Sequence, residues 1–397
     1  MVGAALACAL ADLPLRIAVF DRARFDADRL PCRATDLSFD NRVSAIAPAS
    51  RDFLDTIGAW DTVMATRVSP YTGMHVWDAD GTGSIQFSAA DIHQPCLGYI
   101  VENSVILLGL HRRLQQLDNV TLISPIAING LRRIADNPAG SIELAAEDGS
   151  RWQAKLLLGA DGPMSRVRSL GNFTTREWDY RHQAVVTTVR TELPHQATAL
   201  QRFMPTGPLA FLPLHDGSDI SGAAQHYCSI VWSSVPEQTE TMLAEDDRQF
   251  SRRLAAGIEH HLGEVEWVDR RIAFPLRQRH AVNYVQPNVA LLGDAAHTIH
   301  PLAGQGVNLG FMDARELAQE IGSAVKAGRP PGDYAVLRRY ERARKGHNLG
   351  MMGIMEGFKL LFAQDSLPLR WLRNTGMSQV NRAGFIKNRL MRRAMGL

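Results

Sequence analysis

The chain has 397 residues, 45% of them hydrophobic, with 43 basic against 41 acidic side chains and a formal net charge of +2. That length buries one large core or two that share an interface, and the near balance of charge leaves no footprint for nucleic acid. Cys8, Cys32, Cys96 and Cys228 are scattered without a CxxC pair or metal-ligand spacing, so reduced thiols, a cytoplasmic setting and no bound metal are expected.

The first eleven residues read as a small-residue helix, and Leu15 to Phe20 as a strand ending on Asp21. A dinucleotide-binding fold runs strand, Gly-x-Gly-x-x-Gly, helix, then a strand whose terminal acid takes ribose hydroxyls. Here the helix and second strand are present. Gly3 reads as the third glycine, or as a plain glycine in an Ala-rich helix. The expectation is that the first strand and the two glycines facing a pyrophosphate lie upstream of Met1.

A polar stretch to Asp40 precedes Asn41-Arg42-Val43-Ser44-Ala45-Ile46 and a helical segment to Trp60. Residues 74–87 alternate as strands do, and Gly98 to Ile106 leads into a helix ending near Leu117. Short strands fill 120–158, with a hairpin signal at Glu147-Asp148-Gly149-Ser150. Then an apolar strand meets Gly159-Ala160-Asp161-Gly162, followed by Arg166 and Arg168, forked donors suited to phosphate. Taken alone, Asp161-Gly162 is equally a common turn.

From Trp178 to Phe274 the pattern becomes long, β-branched and alternating, as in His182 to Arg190 and Cys228 to Trp232. This predicts a mostly antiparallel sheet inserted into an α/β domain. Leu291-Leu292-Gly293-Asp294-Ala295-Ala296-His297-Thr298-Ile299-His300-Pro301 next puts a buried strand onto a carboxylate. Gly304, Gly306 and Gly310 follow, in a turn that lets backbone approach a ligand and opens a helix over Val307 to about Phe362.

With these motifs on the page, the sequence resembles the class A flavoprotein aromatic hydroxylases, which share the fold of para-hydroxybenzoate hydroxylase. Their marks are the dinucleotide fingerprint (here its tail, Gly3), the DG motif (Asp161 to Arg168) and the GD motif (Gly293-Asp294). Asn41 to Ile46, Tyr99-Ile100-Val101-Glu102-Asn103, Trp178-Asp179-Tyr180 and Asp294 to Phe311 are similar to the ubiquinone-biosynthesis hydroxylases, over residues 1 to about 395 and nearest to the 2-octaprenylphenol hydroxylase branch.

The resemblance implies an α/β fold with an α+β insert. The FAD-binding domain would comprise 1–73, 98–177 and 275–330, the substrate sheet 74–97 and 178–274, and a C-terminal helical region 331–397. It implies FAD as cofactor, NADPH or NADH as transient co-substrate, and O2. Asp21 would hold the adenosine ribose, Arg42 the pyrophosphate or ribityl region, and Asp294 the ribityl chain. Pro301, Gly304, Gly306, Val307 and Asn308 would lie against the isoalloxazine, while Asp161, Gly162 and Arg168 would serve FAD and the nicotinamide. Reduced flavin would take up oxygen as a hydroperoxide and pass one atom to a polyprenylated phenol, in a cavity closed to water.

Candidate walls of that cavity are Phe203, Leu209, Phe211, Leu212, Pro213, Trp232 and Phe274, each of which is also ordinary core. His297 and His300 would assist phenol deprotonation or fix the turn by hydrogen bonds to backbone. No run reaches the ~18 apolar residues of a spanning helix. The tail 366–397 holds Arg370, Arg373, Arg382, Lys387, Arg389, Arg392 and Arg393 interleaved with apolar residues and without an acid. It reads either as a peripheral contact with the cytoplasmic face of the inner membrane or as a solvated or oligomer-facing helix. Other ubiquinone-biosynthesis proteins are the expected partners. The alternatives are a hydroxylase of another aromatic ring, and a non-catalytic subunit with impaired FAD binding.

Overall fold

A computed structural model of the chain describes residues 1–25, 39–134, 140–216, 225–298, 306–363, 374–376, 379, 381 and 383–395. Its nucleotide-binding half is built on parallel pairs. Ile17–Phe20 pairs with Val120–Ile123, and Leu157–Gly159 pairs with Val289–Leu291, which also takes the antiparallel Val285–Gln286. The two pairs are separate sheets, and no described strand joins them.

The helix Val2–Ala9 packs on the helices Gly306–Lys326 and Asn103–Gln115. Its Ala4, Ala5, Leu6 and Ala7 join Leu291, Leu292, Phe311 and Leu317 in the largest core. Small residues permit this approach: a Cβ at Gly310 would sit 2.6 Å from Val2 Cγ2, and one at Gly3 3.1 Å from the Ala160 Cβ. A valine at Gly310 would push this helix off the GD turn.

The insert is a nine-stranded sheet. Its order is His297–Thr298, Ile272–Ala281, Thr175–Thr191, Tyr227–Ser234, Gly207–Leu214, Thr198–Met204, Gly73–Asp78 and Ser84–Ser88, with Val265–Val268 also on Thr175–Thr191. Neighbours are antiparallel except Thr198–Met204 with Gly73–Asp78. Two strands are longer than the sequence pattern indicates. Thr175–Thr191 and Ile272–Ala281 run through the expected boundaries at 178 and 274. The run-on is hidden in sequence because exposed polar residues occupy the first part of Thr175–Thr191, where the pair is bulged between Asp179 and His182.

Side chains alternate across a pleated strand, and this sorts the expected cavity walls. Leu209, Phe211 and Trp232 face the helices Pro236–Ala244 and Asp247–Gly257, packing with Phe250 and Leu254. Leu212 faces the other way, with Ala210 and Leu214, onto Phe39, Ala45 and Ile100 of the nucleotide-binding half. The expectation that all of them line one cavity is therefore corrected: Leu209, Phe211 and Trp232 are core of the outer face. Phe203 alternates with Leu200 and Arg202 and so shares the inner face; it and Phe274 are half-buried.

The connection between Thr175–Thr191 and Thr198–Met204 carries a pH-sensitive element. Buried His195 donates from Nε2 to the Leu214 carbonyl at 3.1 Å while its Nδ1 accepts the Ala197 N–H at 3.1 Å. Burial lowers its pKa to about 4. A folded value below the unfolded one means the unfolded chain binds the proton first, so stability is full above about pH 6.5 and falls toward pH 4. The linkage gives a loss of about 2 kcal/mol between pH 7 and pH 5. Urea melts should show that loss, and His195→Gln should abolish the His195 share of the slope.

Candidate functional site

The strand Val289–Leu291 runs through Leu292 into a 3-10 turn, Gly293–Ala295, with Gly293 at φ +57°. Glycine takes this left-handed conformation without a Cβ penalty, and the turn presents Asp294 at the strand's carboxyl end. Asp294 is half-buried, and no described residue donates a hydrogen bond to its carboxylate. Burial raises its pKa, opposed by His297, Arg42 and the Met1 α-amino group. The Met1 amino group is itself lowered by burial, against the pull of Asp21 and Asp294. Two strand-end carboxylates thus flank the N-terminus of one helix, with Arg42 opposite and its guanidinium 5.4 Å from the Phe274 ring.

This arrangement fits a flavin dinucleotide. Its ribityl and ribose hydroxyls need acceptors, and its pyrophosphate needs cations and helix N-termini. Asp294 offers both carboxylate oxygens. Asp21 has one oxygen engaged by the Ala23 N–H at 2.8 Å and the other available to a ligand.

The remaining expected site residues have internal duties. Asp161 accepts from Ser165 Oγ at 2.5 Å and from the N–H groups of Arg166 and Val167 at 2.7 and 3.1 Å, fixing the start of the helix Arg166–Leu170. Gly162 sits at φ +81°, open to solvent on its Cβ side. Buried Arg168 donates to the Ala295 carbonyl at 2.9 Å and the Pro163 carbonyl at 2.7 Å. It staples the DG turn to the GD turn.

Gly306 and Val307 open the helix Gly306–Lys326. The Asn308 amide bridges the Ala45 carbonyl at 2.7 Å and the Ala47 N–H at 2.9 Å, so that side chain locks the helix to the strand Val43–Ile46. His300, Pro301 and Gly304 lie outside the described residues.

His297 is buried, with Nε2 2.5 Å from Asp313 Oδ2. Its partner is thus a side-chain carboxylate, where the sequence left open a substrate phenol or the backbone. Asp313 is the centre of a network the sequence reading missed. Its carboxylate also accepts the Gly293 N–H at 3.1 Å, Arg344 Nε at 2.8 Å and Asn348 Nδ2 at 3.1 Å. Burial alone would raise its pKa, but His297 and Arg344 pull it down to about 2. The available signal was an acid on the apolar face of a helix, among Leu309, Ala314 and Leu317.

A second missed pair supports Arg42. Buried Glu102 accepts from Arg67 Nε and Nη2 at 2.6 and 2.8 Å and from the Asp40 N–H at 2.7 Å. Asp40 then accepts the Arg42 N–H at 3.0 Å and the Ser104 N–H at 3.1 Å.

Comparison with solved structures defines the class. The fold matches p-nitrophenol 4-monooxygenase PnpA from Pseudomonas putida DLL-E4 with a TM-score of 0.75 at 18% identity, over 98% of this chain and 94% of that one. PqsL from Pseudomonas aeruginosa matches at 0.74 and 21%, over 95% and 96%. These likenesses show the fold of the class A flavin hydroxylases.

Residues 33–352 match the FAD binding domain family, and the chain belongs to that family, among its ubiquinone-biosynthesis hydroxylases. It is 37% identical over its whole length to 96% of the 3-demethoxyubiquinol 3-hydroxylase of Escherichia coli (strain K12). It is 34% identical to the ubiquinone hydroxylase UbiL of Rhodospirillum rubrum, over 100% of this chain and 87% of that one. Against the human mitochondrial ubiquinone biosynthesis monooxygenase COQ6 the figures are 32%, 98% and 90%. FAD is the cofactor, and the family uses O2 and NAD(P)H.

Proposed function

We propose that the protein hydroxylates the aromatic ring of a polyprenylated phenol in ubiquinone biosynthesis. The observation that carries this reading is the apolar inner face of the sheet. Ala199, Ala210, Leu212 and Leu214, bordered by Tyr71, Met74 and Val231, are laid against Val43, Ala45 and Ile100. Val43 of that layer directly follows Arg42, whose charge acts on Asp294.

Bound FAD, once reduced by NAD(P)H, supplies the electrons that activate O2. The chain's own residues do the rest. Asp294 and Asp21 accept hydroxyl hydrogen bonds, Arg42 offsets negative charge, and Asp313 with Arg168 keeps the two turns in register. The apolar layer excludes water and orients the ring.

A second reading, hydroxylation of a demethoxyubiquinol, is favoured by the 37% identity to a protein named for that reaction. Rates of NAD(P)H oxidation with 2-polyprenylphenol, demethoxyubiquinol and 4-hydroxybenzoate decide between ring classes. Stimulation by the prenylphenol alone supports the first reading. Stimulation by 4-hydroxybenzoate alone overturns both.

We also propose a peripheral membrane contact through the tail helix Gly384–Met395. Phe385, Arg389 and Arg392 are exposed and lie at i, i+4 and i+7, on one helical face. Its buried methionines, Met391 and Met395, pack on the protein itself. No described helix is long and apolar enough to cross a membrane. Each cation near an anionic leaflet contributes about 1 kcal/mol, so Arg389→Glu/Arg392→Glu should lower partitioning onto anionic vesicles by tenfold or more, at about that energy per charge. Unchanged co-sedimentation would refute the contact.

A further inference from the structure

The strand Ser84–Ser88 is the free edge of the nine-stranded sheet, pairing with Gly73–Asp78 alone among the described strands. Such an edge presents unpaired N–H and C=O groups and is ordinarily blocked. Here the block is a row of side chains from the C-terminal segment. Asn374 Oδ1 accepts the Gly83 N–H at 2.5 Å, and Asn381 Oδ1 accepts the Gln86 N–H at 3.2 Å. Lys387 Nζ donates to the Gln86 carbonyl at 3.2 Å, and Asn388 Nδ2 donates to the Asp91 carbonyl at 3.0 Å. The three asparagines are seven residues apart in sequence and meet Gly83, Gln86 and Asp91 in that order.

The turn before the strand is shaped around one of them. A Cβ at Gly81 or Gly83 would lie 2.2 or 2.6 Å from the Asn374 amide. Asn374 Nδ2 also donates to Asp78 Oδ2 at 3.2 Å.

Beneath these contacts lies a packed apolar core. Met391 and Met395 are buried on Ala89, Ile92 and Leu97, and this cluster is bordered by Tyr71 and Met74. The same two residues border the inner-face cluster of Ala45, Ile100, Ala210 and Leu212. Apolar packing is therefore continuous from under the tail helix to the layer assigned above to the substrate ring. Methionine thioethers adapt to varied apolar shapes. Lys387, through Asp91 at 2.8 Å and the Gln86 carbonyl, and Asn374, through the Asp78 carboxylate, make charge-assisted contacts; the other three are neutral hydrogen bonds, which water replaces at modest net cost.

We propose that Asn374, Asn381 and the helix Gly384–Met395 form a clasp on the sheet edge, and that its opening admits the apolar chain of the substrate onto the inner face. The second half rests on the polyprenylated substrate proposed above. The test uses the flavin-loaded full chain, wild type and Asn374→Ala/Asn381→Ala/Asn388→Ala. Gly83→Ala, which crowds Asn374 from the strand side, disturbs the clasp without altering the tail.

Hydrogen exchange is read at the Gly83 and Gln86 amides. Stopped-flow association is read for two phenols that differ only in carrying one prenyl unit or a long polyprenyl chain. The expected result is exchange faster by about tenfold at both amides in the triple variant, and at Gly83 in Gly83→Ala. Association of the long-chain phenol should be several-fold faster, with the short-chain phenol unchanged. Unaltered exchange in both variants overturns the clasp. Faster exchange with equal changes for both phenols overturns the entry route. If neither phenol binds wild type or variants, the substrate reading fails and the entry route with it, while the exchange rates still decide the clasp.

Discussion

Asp313→Ala is expected to destabilise the fold by about 3–5 kcal/mol, the cost of breaking a buried ion pair from one side, and to strip the protein of flavin. The substitution leaves Arg344 buried opposite an empty place and removes the acceptor for the Gly293 N–H, His297, Arg344 and Asn348 together. Gly293 directly precedes Asp294, so the loss frees the turn that carries the Asp294 carboxylate. The Asp313 carboxyl, held at about 2, lies below its unfolded value. Its contribution is therefore fully present above about pH 4 and is lost only as pH falls through about 2.

Melts at pH 7 consequently report the whole effect. Asp313→Asn keeps an acceptor and the shape but not the charge, and should fall between wild type and alanine in both urea midpoint and flavin retained on gel filtration. An alanine variant with wild-type midpoint and yellow colour would remove Asp313 from the account.

Glu102→Ala is expected to cost a similar 3–5 kcal/mol and to weaken FAD binding by about 10–100-fold, equivalent to 1.4–2.8 kcal/mol. Arg67 would be left buried without its bidentate partner, stacked 4.3 Å from the Phe39 ring. The Asp40 N–H would lose its acceptor, and Asp40 is what holds the Arg42 backbone. The double variant Arg67→Met/Glu102→Leu separates the two consequences. Replacing both charges by apolar groups should recover much of the stability, while FAD affinity stays low because Asp40 is still unpinned. Recovery of both together would show that Glu102 acts on stability alone.

The GD and DG turns were legible in the sequence because strand, glycine and acid are consecutive and their meaning is local. Gly293 at positive φ, Asp294 at a strand end and the Asp161 turn follow from that grammar. The network behind them was not legible. Asp313 meets Arg344 across 31 residues and Glu102 meets Arg67 across 35, and no local pattern encodes such a pairing. What the sequence did carry was the anomaly of an acid inside an apolar helical face.

The sorting of the expected cavity walls between two faces was hidden for a related reason. Leu209 and Leu212 are three residues apart in one strand, so the pleat must send them to opposite faces, but alternation does not say which face meets the nucleotide-binding half. The tail's mixture of cations and apolar residues had the same ambiguity. Composition showed an amphipathic segment, and only the structure shows Met391 and Met395 on the sheet edge with Phe385 turned outward.

The central claim is ring hydroxylation by a flavin held between Asp21, Arg42 and Asp294. The most direct measurement supplies the FAD-loaded protein with NAD(P)H, a 2-polyprenylphenol and isotopically labelled O2, then analyses the prenylphenol by mass spectrometry. One labelled oxygen atom is expected in the ring of the product, formed in step with NAD(P)H consumed and lost in Asp294→Ala. NAD(P)H oxidation that delivers the label only to hydrogen peroxide, with the ring unlabelled, would contradict it.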